Sequence, residues 1–247
     1  MKNLVEYINE SYEYTHNLSK SEQDWVNYNK GKSEVQPKTK NKVQPKSKKE
    51  LIKIINNSFE KGVYDLNFID TSKITDMSWL FENVKHNFDV SDWDVSNVTD
   101  MNNMFYCCNN FDCDLSNWDV SNVTNMSGMF NSCFEFTGKG LENWNVSNVI
   151  DMSYMFCDCE NFNCNLSKWN VSNVTDMSNL FRYCGEFNCN LSNWDVSNVI
   201  NMYSVFYCCE NFNCDLSNCD VSNVNNMEDI FYNCNMKIIP NWYWYKK

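Results

Sequence analysis

Seven methionines recur along this chain at almost equal intervals: Met77, Met101, Met126, Met152, Met177, Met202 and Met227, spaced 24, 25, 26, 25, 25 and 25 residues apart. Four residues after each stands a phenylalanine, from Phe81 to Phe231, and the residue before that phenylalanine is Leu, Met, Val or Ile. A fixed period over seven units with single-residue indels is the signature of a repeat architecture. A unit of about 25 residues cannot bury an apolar face by itself, so it becomes stable only when neighbouring copies complete its interior.

Within a unit, "DMSYMFCDC" places Met152, Met155, Phe156 and Cys159 at i, i+3, i+4 and i+7. That spacing predicts one stripe of a short helix, with Asp, Asn or Thr before the methionine at its start. The segment "FNCDLSNWDVSNV" has no helical stripe. Its Leu191, Trp194, Val196 and Val199 stand among Ser, Asn and Asp, which predicts short extended pieces joined by tight bends. Stacking turns each column into a ladder: Trp93, Trp118, Trp144, Trp169 and Trp194, with Cys219 in the tryptophan position of the following unit. The asparagines Asn97, Asn122, Asn148, Asn173, Asn198 and Asn223 form another ladder, with amides suited to bonding the backbone of the bends.

The stretches "FNCDLSNWDVSNVINM" and "IDTSKITDMSWLF" closely resemble the Mycoplasma-type repeats of BspA-like leucine-rich-repeat surface proteins, which read much like "FNxDLSxWDVSNVTDMSxMF". The resemblance runs from about Leu66 to Cys234. It implies a right-handed leucine-rich-repeat-like solenoid used for binding or adhesion, without known catalysis. The expected fold is thus an α+β, leucine-rich-repeat-like repeat solenoid. It has about seven stacked coils of about 25 residues, each a short helix plus short extended segments, and a helical N-terminal cap.

The expected organisation has four parts: a short helical segment at 1–28, a basic flexible linker at 29–49, the repeat solenoid with its cap helix at 50–234, and an aromatic C-terminal cap at 235–247. The linker reads "VQPKTKNK" then "VQPKSKKE", and residues 29–49 carry eight Lys against one Glu. The cap helix rests on Leu51, Ile52, Ile55 and Phe59, and the C-terminal lid on Trp242, Tyr243, Trp244 and Tyr245. From Val63 to Met236 there are 24 Asp and Glu against five Lys and Arg, which argues against specific nucleic-acid binding by the body. No apolar run is long enough for a signal peptide or a membrane span, so an intracellular or virion-associated location is favoured over a secreted one.

Fourteen cysteines fall into columns. Cys108, Cys133, Cys159, Cys184, Cys209 and Cys234 lie on the apolar stripe and read as a buried thiol ladder. Cys113, Cys164, Cys189 and Cys214 form a second column, and the C-x4-C spacing leaves disulfides open in an oxidising setting. Parallel ladders do not converge as a tetrahedral zinc site needs. Two acidic columns, Asp76, Asp100, Asp151 and Asp176, and Asp94, Asp119, Asp195 and Asp220, read as starts and bends, with calcium bridging as the alternative. Only His16 and His86 are present, and neither phosphate-loop nor dinucleotide glycine motif occurs, so no enzyme, cofactor or metal is expected.

The functional expectation is a non-enzymatic repeat protein that binds a protein or glycan partner along its regular surface. Tyr154, Asn179 and Tyr203 are the candidate contact residues, at positions that vary between units. The alternatives are a structural component of a viral or phage particle and, behind it, a thiol-based redox or metal-responsive protein.

Overall fold

The computed structural model describes residues 42–245. These belong to the second of two units, Thr39–Lys247. The segment 1–28 and the linker up to residue 41 lie outside the described residues. Successive 25-residue units stack in sequence order, and the interior is one continuous column of Met, Phe, Trp, Val, Leu and Cys side chains.

The stripe from methionine to cysteine is not a helix. In the second unit three overlapping turns close it: the Met104 N–H donates to Met101 O (3.1 Å), Tyr106 to Asn103 O (3.1 Å) and Cys108 to Phe105 O (3.0 Å). The third residues of the first and last of these turns have left-handed backbone, Asn103 at φ 53° and Cys107 at φ 59°. A type II turn demands positive φ there, and an α-helix forbids it. The same two columns are left-handed in unit after unit, through Tyr154 and Asp158, Asn179 and Tyr183, and Ser204 and Cys208. Such a conformation costs a residue other than glycine roughly 1–2 kcal/mol, so the stack must repay it.

The repayment is visible in the hydrogen bonds. The left-handed residues turn alternate N–H groups out of the coil and onto the next one. Met101, Asn103, Phe105 and Cys107 donate to Asn125, Ser127, Met129 and Asn131, all at 2.8–2.9 Å, while Thr124 donates back to Thr99 O at 2.9 Å. In an isolated helix these N–H groups would bond within the element; here they make each coil depend on its neighbour. Apart from Val43 with Ile69 and Asp65 with Asp89 at the N-terminal end, one residue per coil pairs as a strand. The parallel bridges run Asp76, Asp100, Asn125, Asp151, Asp176, Asn201 and Asn226.

These findings overturn the expected α+β, leucine-rich-repeat-like solenoid with a helical cap. Among the described residues no coil contains an α-helix, the bridges build no sheet, and one helix reaches seven residues. The 3.6-residue spacing misled because three linked turns also bring i, i+3, i+4 and i+7 to one side; all four columns are buried. No helix among the described residues is long and apolar enough to cross a membrane.

That one longer helix, α1 (Lys48–Glu60), starts at Ser47, whose hydroxyl accepts from the Glu50 N–H (3.3 Å) while Glu50 accepts from the Lys46 N–H (2.8 Å). This is close to a capping box. Leu51 and Ile55 are buried, and Phe59 lies against Phe88 (5.7 Å) and Phe81 (6.5 Å) of the first coil. Upstream of α1, Val43 pairs in parallel with Ile69. At the other end α2 (Asn241–Tyr245) sets Trp242 and Tyr243 against Phe231, at 5.9 and 5.6 Å.

Aromatic ladders fill the interior. The phenylalanines from Phe81 to Phe231 stack 5.4–5.8 Å apart with ring planes within 13° of each other. A second phenylalanine column, from Phe88 to Phe212, packs on the first at 4.0–4.3 Å. Each fully buried phenylalanine contributes about 1.5–3 kcal/mol, so the two of a coil together offset the roughly 2–4 kcal/mol of its two left-handed residues. The third unit has one extra residue, and Gly140 (φ 92°) absorbs it where a side chain would collide with the Ser116 backbone.

Candidate functional site

A repeat separates columns that hold the stack from columns free to differ, and the invariant ones are fully committed to structure. Each ladder tryptophan donates its indole N–H to a carbonyl of the preceding coil, as Trp118 does to Val90 O (3.0 Å) and Trp169 to Leu141 O (2.9 Å). Each ladder asparagine donates its amide to a serine carbonyl one coil back, as Asn173 does to Ser147 O (2.7 Å). The aspartates accept from the N–H two residues on, Asp151 Oδ1 from Ser153 and Asp119 Oδ1 from Ser121, which makes them turn residues. The serine hydrogen bonds hold the Asp119 and Asp195 carboxyls below the usual carboxylate range.

The thiols are equally committed. Cys108, Cys133, Cys159, Cys184 and Cys209 each donate Sγ–H to the phenylalanine carbonyl of the preceding coil, at 2.7–3.0 Å. All fourteen cysteines are free, and burial pushes Cys108, Cys113 and Cys164 up to about 12 and Cys133, Cys184 and Cys209 well above their ordinary value. Thiols held protonated are poor nucleophiles and poor metal ligands. Among the described residues no three His, Cys, Asp or Glu side chains gather into a metal site.

The variable columns lie one, two, five and six residues after each methionine and share one flank. The position after five residues reads Glu82, Tyr106, Asn131, Cys157, Arg182, Tyr207 and Tyr232. Arg182 is the only arginine in the chain. Its guanidinium lies over the rings of Tyr207 (4.6 Å) and Tyr183 (5.0 Å), and Nη1 donates to Asn179 Oδ1 at 3.2 Å. Tyr207 stacks on Tyr232 in the next coil (4.8 Å, planes 13° apart) and meets Tyr183 edge-on (5.4 Å). The ion pairs among the described residues are Lys48–Asp76 and Lys139–Asp114, so Arg182 makes none in a body rich in carboxylates.

Two polar side chains on this flank are wholly buried and have no hydrogen-bond partner for Asn179 Nδ2 and Ser204 Oγ. They occupy the same left-handed column in consecutive coils. An unsatisfied buried donor or hydroxyl costs about 1–3 kcal/mol, and these stand side by side beside the arginine. Nearby, Cys157 Sγ contacts Asp158 Oδ2 (3.7 Å). Burial pushes the Asp158 carboxyl up, against that hydrogen bond and the Arg182 charge, which both pull it down.

The three residues expected from the sequence fall on this flank in successive coils. Tyr154 donates its N–H to Ser178 O, and Asn179 to Tyr203 O, both at 2.8 Å. Tyr154 is exposed (42%), Tyr203 half-buried and Asn179 fully buried, so they do not form one open patch. Arg182, Tyr183, Ser204, Tyr207 and Tyr232 escaped the sequence reading. The legible signal was the single arginine in a tyrosine-rich column. A separate Asn and Thr face forms an open groove of about 620 Å³ lined by Asn173, Thr175, Asn198 and Asn225. There the ladder amides already have partners.

With this geometry on the page, a comparison with family models decides the kinship. A model described as "Mycoplasma protein of unknown function, DUF285" matches residues 51–140 and 132–242. The chain belongs to the DUF285 family. The matched span begins within α1 and ends within α2, so the family motif comprises the whole described stack. No curated protein and no solved structure matched.

Proposed function

We propose that this DUF285 protein is a non-enzymatic binding protein that engages a protein or glycan partner through the flank carrying Arg182. The observation that supports it is the pairing of two buried polar atoms, Asn179 Nδ2 and Ser204 Oγ, which have no hydrogen-bond partner among the described residues, with an arginine that forms no ion pair among them. Natural interiors satisfy their polar groups, and an exception marks a place where something else supplies the partner. Aromatic rings and arginine are also the side chains that carry most binding energy in interfaces. Tyr154 and Tyr203 extend the flank around Asn179, and the adhesive role implied by the likeness to BspA-like surface proteins is part of this reading. In favour of binding over catalysis, the Cys157 thiol near Arg182 is pushed up by burial and so is no activated nucleophile.

The test is a screen of the immobilised full chain against glycan and peptide libraries. It compares the native protein with a double variant, Arg182→Ala with Tyr207→Ala, and with Thr124→Ala on the separate Asn and Thr face. Loss of the retained ligands in the double variant, with retention by Thr124→Ala, supports the assignment. A binding profile unchanged by the double variant overturns it.

A further inference from the structure

Resting on that binding reading, we infer that the Arg182 site takes a carboxylate-bearing sugar, a uronic-acid type of ring, with the carboxylate on the guanidinium and ring hydroxyls on Asn179 and Ser204. Arg182 stands in a body with 24 carboxylates and pairs with none of them. The two tyrosine rings orient its planar fork, and a fork so held matches a carboxylate bidentately.

The unsatisfied pair calls for hydroxyls. Asn179 Nδ2 has two donors to give, and Ser204 Oγ both donates and accepts. Consecutive coils lie roughly 5 Å apart, a separation that vicinal hydroxyls and a ring carboxylate span. Asn179 Oδ1 now accepts from Arg182 Nη1, so the guanidinium holds the amide turned toward itself. A rotation of the arginine side chain onto an arriving carboxylate releases that bond and opens the amide to the ligand. No covalent step is involved.

The tyrosines favour a sugar over an acidic peptide: exposed Tyr154 (42%) lies one coil before Asn179, and exposed Tyr232 (57%), stacked on Tyr207, lies two coils after it, so ring faces flank the site on both sides. Flat ring faces suit the C–H face of a pyranose, while a glutamate side chain needs only the charge. The Asp158 carboxyl near Arg182 is buried, which favours its neutral form, so it opposes an incoming anion less than an exposed aspartate would.

The experiment is calorimetric titration of the full chain with methyl glucuronide, methyl glucoside and an oligoglutamate peptide, with circular dichroism confirming that variants fold. The expected result is binding of the glucuronide at least tenfold tighter than the glucoside. Arg182→Gln should abolish this preference, and Arg182→Lys should retain part of it because charge survives without the fork. Equal binding of glucuronide and glucoside overturns the role of the charge. Binding of oligoglutamate alone overturns the sugar. If neither sugar binds while the flank double variant still loses library ligands, the ligand class falls and the binding flank stands.

Discussion

The tryptophan ladder skips one rung, and filling it should stabilise the protein. Cys219 occupies the rung after Trp194, and Leu191 O, unlike the other ladder carbonyls, receives no indole N–H. A cavity of about 30 Å³ lies there, lined by Leu191, Trp194, Met202, Leu216, Cys219 and Trp242. Trp242 from the C-terminal segment supplies the following rung by donating to Leu216 O at 2.9 Å. Filling the cavity is worth about 0.7 kcal/mol at about 24 cal/mol per Å³, and a satisfied indole bond adds about 1 kcal/mol. An indole is larger than the cavity, and overpacking costs about 1–3 kcal/mol where nothing can move. Here the neighbour on the open side is half-buried Trp242 on a five-residue helix, which can shift outward. Trp118 and Trp144 already stack at 6.3 Å in the middle of the same ladder. Cys219→Trp is therefore expected to stabilise by about 1.5 kcal/mol. Equilibrium urea unfolding should show a midpoint raised by about 0.5–0.75 M at unchanged slope, for a slope of about 2–3 kcal/mol per M. A midpoint that stays or falls would refute the view that the missing rung is an energetic gap.

Three further outcomes follow from the same structure. Cys159→Ala removes the donor to Phe130 O (2.9 Å) together with a buried sulfur; it should cost about 1–2 kcal/mol in urea unfolding. Asp229→Val places a β-branched residue at φ 56° on an exposed site, and should cost at least about 1–2 kcal/mol, whereas a helix there would register only a few tenths. His86 is enclosed by Phe59 (4.4 Å), Tyr64 (4.4 Å) and Phe88, its Nδ1 has no partner, and burial lowers its pKa against a backbone hydrogen bond at Asn87 that raises it. The unfolded chain thus binds the proton more readily. The contribution of His86 is complete above the unfolded value of about 6.5 and is lost as pH falls through the lower folded value. His86→Phe should flatten the decline in melting temperature between pH 7 and pH 5, and an unchanged decline would remove His86 from the acid response.

Much of the interior was readable from the amino-acid order. The period assigns every ladder, and the residues expected to face inward, from Met101 and Phe105 to Val123 and Trp118, are buried. The candidate contact residues were less legible. Variation between units is all that marks Tyr154, Asn179 and Tyr203 in the sequence, and the structure sets them at unequal depths. Arg182 went unremarked because its meaning lies in what surrounds it, two rings and an amide drawn from two coils, and no linear motif joins Asn179, Tyr183 and Tyr207.

By itself the sequence determined which side chains pack against which, since burying apolar columns is a matter of composition and spacing. Only the tertiary structure decided the path of the backbone. Between Met101 and Cys108 a helix and a run of turns bury the same four side chains, and they differ in where the N–H groups point. A helix keeps those hydrogen bonds to itself. The stack offers carbonyls of the next coil at 2.8–2.9 Å, and that cooperative gain, absent from any single unit, holds Asn103 and Cys107 in the left-handed region.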